Sequence, residues 1–278
     1  MTVGKRLAEL KKSLKAANIE SWSIDASLIM MHAMGFNKMQ LVTHDTDEVT
    51  PEKEEIISKF ESERLSNKPM QYILGHCEFM GLDFDVNEST LIPRPDTEIL
   101  VENAIEIIEK YGCKTVLDIG TGSGAIAVSL AKYTNAEVTA VDISPKALET
   151  AKHNAEKNGV NVNFILSDLF ENINTEFDVI VSNPPYIETA VVETLESNVK
   201  DYEPRTALDG GEDGLYFYRK ITQNAHRYLT DCCGALAFEI GYNQAEALKK
   251  IFKTYSFDNI LIKNDLSGLN RLAIGFKM

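Results

Sequence analysis

The strongest constraint on this 278-residue chain is a strand that runs into a glycine-rich turn and out into a helix. The β-branched run Thr115-Val116-Leu117-Asp118-Ile119 leads into Gly120-Thr121-Gly122-Ser123-Gly124, and a helical stretch follows over 125–133. Beyond it, strand and helix signals alternate. Strands are predicted over 137–141, 163–166, 177–181 and 235–240. Helices are predicted from Ser144-Pro145 to Asn158-Gly159, near 214–229 and near 244–253. Two closing strands, around 259–264 and 270–276, are separated by so few residues that they must pair antiparallel. Repeated βα units require an α/β fold with a doubly wound, mostly parallel sheet, here of seven strands.

The residues ahead of this region follow other periods. Val3, Leu7, Leu10 and Leu14 recur at helical spacing, as do Ile24, Leu28 and Met31 before Gly35. Thr50-Pro51-Glu52 reads as an N-cap, a proline at the first helical position and an acid in the first turn, opening a helix with Ile56, Ile57 and Phe60. His32 and His44 stand alone and are read as surface or packing residues. Phe79, Leu82, Phe84 and Val86 then alternate with polar residues around Met80-Gly81, the pattern of a short β-hairpin. Leu91-Ile92-Pro93-Arg94-Pro95 is an extended, proline-stiffened connector. Asp96 is expected to cap a helix with an apolar face of Ile99, Leu100, Ile105 and Ile108. The expected division is a small all-α domain over 1–75, a hairpin linker over 76–93 and the sheet domain over 94–278.

Charge and composition narrow the function classes. Hydrophobic residues make up 44% and charged residues 25%, enough for a real core. No apolar run reaches the roughly 18 residues of a membrane helix, and the opening residues lack a secretory h-region. Cys77, Cys113, Cys232 and Cys233 have no metal-ligand spacing, so buried thiols in a reducing cytoplasm are expected, and no metal. The net charge is −14; residues 1–75 carry 10 basic and 11 acidic side chains, leaving 18 and 31 for the remainder. Affinity for nucleic acid rests mainly on Lys and Arg at phosphates, so a free nucleic-acid partner is not expected. Nothing demands more than a monomer.

Glycines in the first turn let the backbone approach a ligand and turn tightly into the helix. Asp142 closes the next strand, where an acid can accept from two ribose hydroxyls. This is the general arrangement for a nucleoside cofactor, and Gly120, Gly122 and Ala125 also satisfy the dinucleotide pattern. Asp118 favours S-adenosylmethionine over NAD, because a carboxylate at the strand end suits an ammonium group and would repel a pyrophosphate. Asp168, after the third strand, is placed either for an adenine amino group or as a capping aspartate.

A fourth strand runs directly into Asn183-Pro184-Pro185-Tyr186, beside the crevice at the carboxyl edge of the sheet. Two prolines stiffen the backbone and remove two N–H donors, leaving carbonyl acceptors. The Asn183 side-chain oxygen is a further acceptor, so the turn can hold both hydrogens of a planar –NH2 group. Tyr186 offers a flat face on which a conjugated group stacks. An amide nitrogen is a poor nucleophile because its lone pair is delocalised. Acceptors on its hydrogens raise electron density on nitrogen and aim it at the methyl group.

With these motifs in place the chain resembles the peptide chain release factor glutamine methyltransferases over nearly its whole length. The resemblance is carried by Lys68-Pro69-Met70-Gln71-Tyr72-Ile73-Leu74-Gly75, by Ile92-Pro93-Arg94-Pro95-Asp96-Thr97-Glu98 and by the run from Asp118 to Gly124. It extends through Asn183-Pro184-Pro185-Tyr186-Ile187 and Asp209-Gly210-Gly211-Glu212-Asp213-Gly214-Leu215. It implies a five-helix N-terminal domain, a hairpin linker and a class I methyltransferase domain that methylates the glutamine amide in the Gly-Gly-Gln motif of release factors. Gly120, Thr121, Gly122, Ser123, Gly124, Asp118, Asp142, Asp168, Leu169 and Asn183 would hold the cofactor. Asn183, Pro184, Pro185 and Tyr186 would hold the glutamine, with Asn183, Pro184 and Tyr186 as the catalytic set. Leu169 departs from the aromatic residue that many members carry against adenine, and Phe170 is an alternative in that role. An amino-group DNA methyltransferase shares the chemistry but needs a basic groove that flips a base, which this acidic chain lacks. A nucleoside-binding module or an NAD-linked oxidoreductase leaves Asn183-Pro184-Pro185-Tyr186 unexplained.

Overall fold

The computed structural model describes residues 1–277, which form two compact units. The first comprises Met1–Gly75 together with Glu196–Tyr202. Its helices are α1 (Val3–Ala16), α2 (Trp22–Met34), α3 (Lys38–Thr43), α4 (Pro51–Leu65) and α5 (Met70–Leu74). Thr2, Asn37 and Thr50 cap α1, α3 and α4 through their side chains, and left-handed Gly35 and Gly75 end α2 and α5. Leu10, Leu14, Ile29, Met30 and Ile57 form the centre of the unit. The expected face of α2 is rotated: Ile24 is 67% exposed, whereas Ala26, Ile29, Met30 and Ala33 are buried. The helix is apolar on nearly every side, so spacing alone did not single out the face. Asp25 lies on the buried side because Arg64 meets it at 2.7 Å. Buried Arg6 likewise bridges Glu54 and Glu61, at 2.8 and 2.7 Å. Tyr202 joins this unit by donating to the Ser66 carbonyl at 2.8 Å.

The second unit comprises His76–Leu195 and Glu203–Met278. It opens with the hairpin β1 (His76–Phe79) and β2 (Leu82–Asp85), turned by Met80 and Gly81. The hairpin packs with the sheet domain: Phe79 and Phe84 enter its core, and Asp85 N–H donates to Asn154 Oδ1 at 2.7 Å. The remaining elements are α6 (Thr97–Tyr111), β3 (Thr115–Ile119), α7 (Ala125–Tyr133), β4 (Glu137–Asp142), α8 (Pro145–Asn158), β5 (Asn163–Leu166) and β6 (Val179–Ser182). After them come α9 (Thr189–Val192), α10 (Ser197–Lys200, grouped with the first unit), a 3-10 turn at Arg205–Ala207, α11 (Tyr216–Ala225), β7 (Ala235–Glu239), α12 (Ala245–Thr254), β8 (Phe257–Asn264) and β9 (Asn270–Lys277).

The sheet order is β5-β4-β3-β6-β7-β9-β8. The first five strands are parallel, and β9 runs antiparallel to both β7 and β8, as the short closing connection required. Ser144 caps α8 and Gly159 ends it in the left-handed region, as read from the sequence. Asp96 does not cap α6. It has helical dihedrals and no capping bond, and its carboxylate instead meets Arg271 Nε at 3.1 Å. The buried side of α6 is Thr97, Leu100, Val101, Ala104, Ile107 and Ile108, so Ile99 and Ile105 are only partly covered. Among the thiols Cys113 is buried, whereas Cys232 is exposed beside the turn that precedes β7; all four are unbridged. No described helix is long and apolar enough to cross a membrane.

Candidate active site

Strand register builds the site. Ile119 of β3 pairs with Ser182 of β6, and Ser182 pairs with Phe238 of β7. The next residues, Gly120, Asn183 and Glu239, therefore stand in a row at the carboxyl ends of three adjacent strands. Asp142 ends β4 on the other side of β3. Strand order reverses at β3, and ligands of open α/β sheets bind outside the carboxyl ends at such a point.

The glycine turn is fully formed. Gly120, Gly122 and Gly124 have φ of 74°, 56° and 82°, the left-handed region that side chains disfavour. A Cβ on Gly124 would also lie 3.0 Å from that of Ala151, so glycine lets α7 approach α8. Asp142 ties the turn down: Gly122 N–H donates to its Oδ2 at 2.9 Å and Ser144 N–H to its Oδ1 at 2.8 Å. Burial raises its pKa above the ordinary range, against the pull of these donors. Ser123 is buried, and its carbonyl accepts from Asn154 Nδ2 at 2.8 Å.

Asp118 is completely buried at the end of β3. The Thr121 hydroxyl donates to its Oδ2 at 2.6 Å, while Oδ1 has no hydrogen-bond partner. Burial pushes this carboxyl up to about 7, and nearby Asp142 adds to the rise. A buried carboxylate oxygen without a donor is costly unless a ligand supplies one. It fits the ammonium end of a methionine moiety and does not fit a phosphate.

Beyond β5 the two candidates for an adenine contact separate. Phe170 is 6% exposed and stacks flat on Tyr228 with ring centroids 4.5 Å apart, so its ring belongs to the core. Leu169 is half-buried and holds φ at +50°, an unusual backbone for leucine. Its carbonyl accepts from Ser167 Oγ at 3.0 Å, which locks the turn. Asp168 is exposed and begins no helix, which leaves it outside a capping role.

The Asn183-Pro184-Pro185-Tyr186 turn is braced from behind. Gln244 Nε2 donates to the Tyr186 carbonyl at 3.0 Å and to that of Gly214 at 3.2 Å. A Cβ on Gly210 would come within 2.7 Å of Tyr186 Cα and 2.8 Å of the Pro185 carbonyl, so only glycine fits there. The Asp209–Leu215 stretch thus supports the turn by close backbone approach. Two further residues, missed by the sequence reading, touch its side chains. Asn183 Nδ2 donates to Thr97 Oγ1 at 3.2 Å, and the Tyr186 hydroxyl donates to Glu239 Oε1 at 3.3 Å. The Thr97 hydroxyl in turn donates to Glu239 Oε2 at 2.5 Å. Burial pushes Glu239 up to about 7, and burial with Glu239 raises Tyr186 above the ordinary phenol range. The only hint in the sequence was that Asp96-Thr97-Glu98 follows two prolines within a family block. The rest of that block is also locked: Arg94 meets Glu203 at 2.5 Å, and Met80 N–H donates to Glu98 Oε1 at 2.6 Å.

Residues 6–75 match a family model described as PrmC N-terminal domain, and residues 95–200 match one described as methyltransferase small domain. A release factor glutamine methyltransferase of Agrobacterium fabrum is 39% identical, covering 98% of this chain and 96% of that protein. Its counterpart in Geobacter sulfurreducens is 40% identical over 99% and 96%. A crystal structure of a methyltransferase from Pyrococcus furiosus superposes with a TM-score of 0.52 at 20% identity, covering 72% of this chain and 90% of that one, a likeness of fold. With a seven-stranded methyltransferase sheet, the glycine turn, the Asn183-Pro184-Pro185-Tyr186 edge and relatives matched end to end, the chain belongs to the release factor glutamine methyltransferase family.

Proposed function

We propose that this protein transfers a methyl group from S-adenosylmethionine to the side-chain amide nitrogen of the glutamine in the Gly-Gly-Gln motif of peptide chain release factors. The observation that carries the reading is the carboxyl edge of the sheet, where the partnerless oxygen of Asp118, next to last in β3, and the Asn183 carboxamide, just past β6, lie at neighbouring strand ends. The cofactor supplies an electrophilic methyl group on a sulfonium. Asp118 would take its ammonium group, Asp142 its ribose hydroxyls, Asp168 and Leu169 its adenine, and the backbone of Gly120, Thr121, Gly122, Ser123 and Gly124 would lie against it, with Asn183 at the methyl end.

The glutamine side is held by Asn183, Pro184, Pro185 and Tyr186. Asn183 Nδ2 is engaged by Thr97, which leaves Oδ1 as an acceptor for one amide hydrogen. A proline carbonyl accepts the other, and the Tyr186 ring stacks on the amide plane. Catalysis is positioning plus electrostatics, without a covalent enzyme intermediate. The amide nitrogen forms its bond to the methyl carbon as the carbon–sulfur bond breaks, and its proton leaves to water once the nitrogen has become acidic. Mass spectrometry of a purified release factor after incubation with enzyme and labelled cofactor tests this reading. A methyl group on the Gly-Gly-Gln glutamine is expected, and its absence rejects the reading.

Two further outcomes follow. Asp142 also accepts from two backbone N–H groups, so Asp142→Ala would loosen the turn itself, and Asp142→Asn is the cleaner probe. It is expected to weaken S-adenosylmethionine binding about tenfold, the worth of a charge-assisted hydrogen bond near 1.5 kcal/mol, measured by calorimetry. The helical unit carries no chemistry of its own and is assigned to recognition of the release factor. Deleting residues 1–75 is expected to raise KM for whole release factor while cofactor affinity persists, with circular dichroism confirming the fold. The same reading makes the protein a cytoplasmic monomer that acts on a protein and not on free nucleic acid.

A further inference from the structure

A buried chain of hydrogen bonds lies directly behind the proposed acceptor site. It runs from Asn183 Nδ2 to Thr97 Oγ1 at 3.2 Å, then from the Thr97 hydroxyl to Glu239 Oε2 at 2.5 Å. The second Glu239 oxygen accepts from the Tyr186 hydroxyl at 3.3 Å. Thr97 is 4% exposed and Glu239 2%. The members come from three places in the chain: Thr97 from the start of α6, Glu239 from the end of β7, and Asn183 and Tyr186 from the turn beyond β6.

The direction of the chain decides what Asn183 can do. A hydroxyl has one proton, and a carboxylate can only accept. With Glu239 ionised, the form that prevails above about pH 7, Thr97 gives its proton to Glu239 and offers Asn183 nothing but a lone pair. The end of the Asn183 carboxamide that faces Thr97 must then be its NH2 group, and Oδ1 is turned to the other side. A carboxamide rotated by half a turn would set its own N–H groups against those of the acceptor amide, two donors without an acceptor. Residues 97 and 239 act on Asn183 and select the rotamer on which a two-acceptor site depends.

We infer that Glu239 is a positioning residue for methyl transfer, holding Asn183 through Thr97 with its oxygen toward the acceptor amide while its other oxygen anchors Tyr186. The inference rests on the reading of Asn183 and Tyr186 as the acceptor site. Its energetic logic is preorganisation: the orientation is fixed before substrate arrives, so the acceptor does not spend binding energy turning the amide.

Thr97→Val tests it in the full-length enzyme, since valine replaces the hydroxyl with a methyl group of nearly the same size. Steady-state kinetics with purified release factor should show kcat lowered about tenfold, what one ordinary hydrogen bond is worth in a rate. KM for release factor and the affinity for S-adenosylmethionine should stay within about twofold, and Thr97→Ser should rescue kcat. Glu239→Met should lower kcat similarly and also raise KM by freeing Tyr186; in a Thr97→Val background it should lower kcat no further, because both act through one path. If Thr97→Val does not fold, Thr97→Ala carries the same expectation. Wild-type kcat in Thr97→Val, failure of serine to rescue, a loss confined to cofactor affinity, or multiplicative effects in the double variant would each overturn the inference. Asn183→Ala separates the two levels. Where it abolishes transfer and Thr97→Val does nothing, the relay is wrong and the acceptor site stands; where Asn183→Ala turns over normally, the acceptor site itself is wrong.

Discussion

Replacing Asn183 by alanine is expected to lower the turnover of release-factor methylation by roughly 100- to 1,000-fold, the usual consequence of losing one preorganised oxyanion-hole-type group. Most of the cofactor affinity should remain, because Asp118 and Asp142 lie on other strands. Single-turnover measurements under saturating release factor and cofactor separate the two quantities, and a near wild-type rate would end the two-acceptor mechanism. Asn183→Asp is the sharper variant. It keeps an acceptor of the same shape, but a carboxylate now faces the Thr97 oxygen, whose proton is already given to Glu239. Two carboxylates sharing one hydroxyl cannot both be satisfied, so the side chain must swing or take up a proton. The added charge also stabilises a cationic cofactor in the ground state more than the charge-dispersed transition state. The aspartate variant is therefore expected to bind cofactor well and turn over slowly.

Asp118→Asn is expected to weaken S-adenosylmethionine binding roughly 10- to 150-fold, the loss of one hydrogen bond between charged groups worth about 1.5–3 kcal/mol. The same change should stabilise the cofactor-free protein at alkaline pH. In the folded chain burial holds the Asp118 carboxyl at about 7, against an ordinary 3.8. Between those values the folded protein keeps a proton that the unfolded chain has released, so Asp118 makes stability fall as pH rises through this window. Above about 7 the full cost of a buried, half-partnered carboxylate is present, and asparagine removes it. A cationic ligand favours the ionised form, so cofactor affinity should rise with pH through the same window in the wild type and be flat in Asp118→Asn. Thermal melting at pH 6 and pH 8, with and without cofactor, reads both effects. Equal cofactor affinity in the two proteins at pH 8 would remove Asp118 from the ammonium site. A residue that destabilises the empty protein and holds the ligand is a common stability–function compromise.

The parts legible in the chain are those whose information is local. The turn from Gly120 to Gly124 announces itself because positive φ at close intervals demands glycine, and Asn183-Pro184-Pro185-Tyr186 because consecutive prolines leave the backbone few conformations. The alternation of strand and helix over 115–253 dictates the parallel sheet, and the short 265–269 connection dictates the antiparallel end. Each of these follows from a handful of consecutive residues. Where several solutions had equal local merit, the reading slipped. In α2 the apolar residues surround the helix, so the buried face was settled only by what packs on it, with Arg64 drawing Asp25 inward. At Asp96 a capping bond and an ion pair were both available, and Arg271, brought alongside by β9, took the carboxylate. Phe170 had the right chemistry for adenine, but Tyr228 covers its face.

The deeper divide concerns the reaction itself. The sequence by itself determined which chemistry the chain performs, because a carboxylate before a glycine turn and an asparagine before two prolines are short signals with few other uses. Only the tertiary structure decided how the asparagine is aimed. Thr97 and Glu239 lie 142 residues apart, and nothing local links the one to the other. They meet because the register Ile119–Ser182–Phe238 sets β3, β6 and β7 level, and because α6 lays its first turn against the end of that row. A hydrogen bond has a direction that no spacing encodes. It exists only once donor and acceptor are within 3 Å or so of each other, and that distance is a property of the folded sheet.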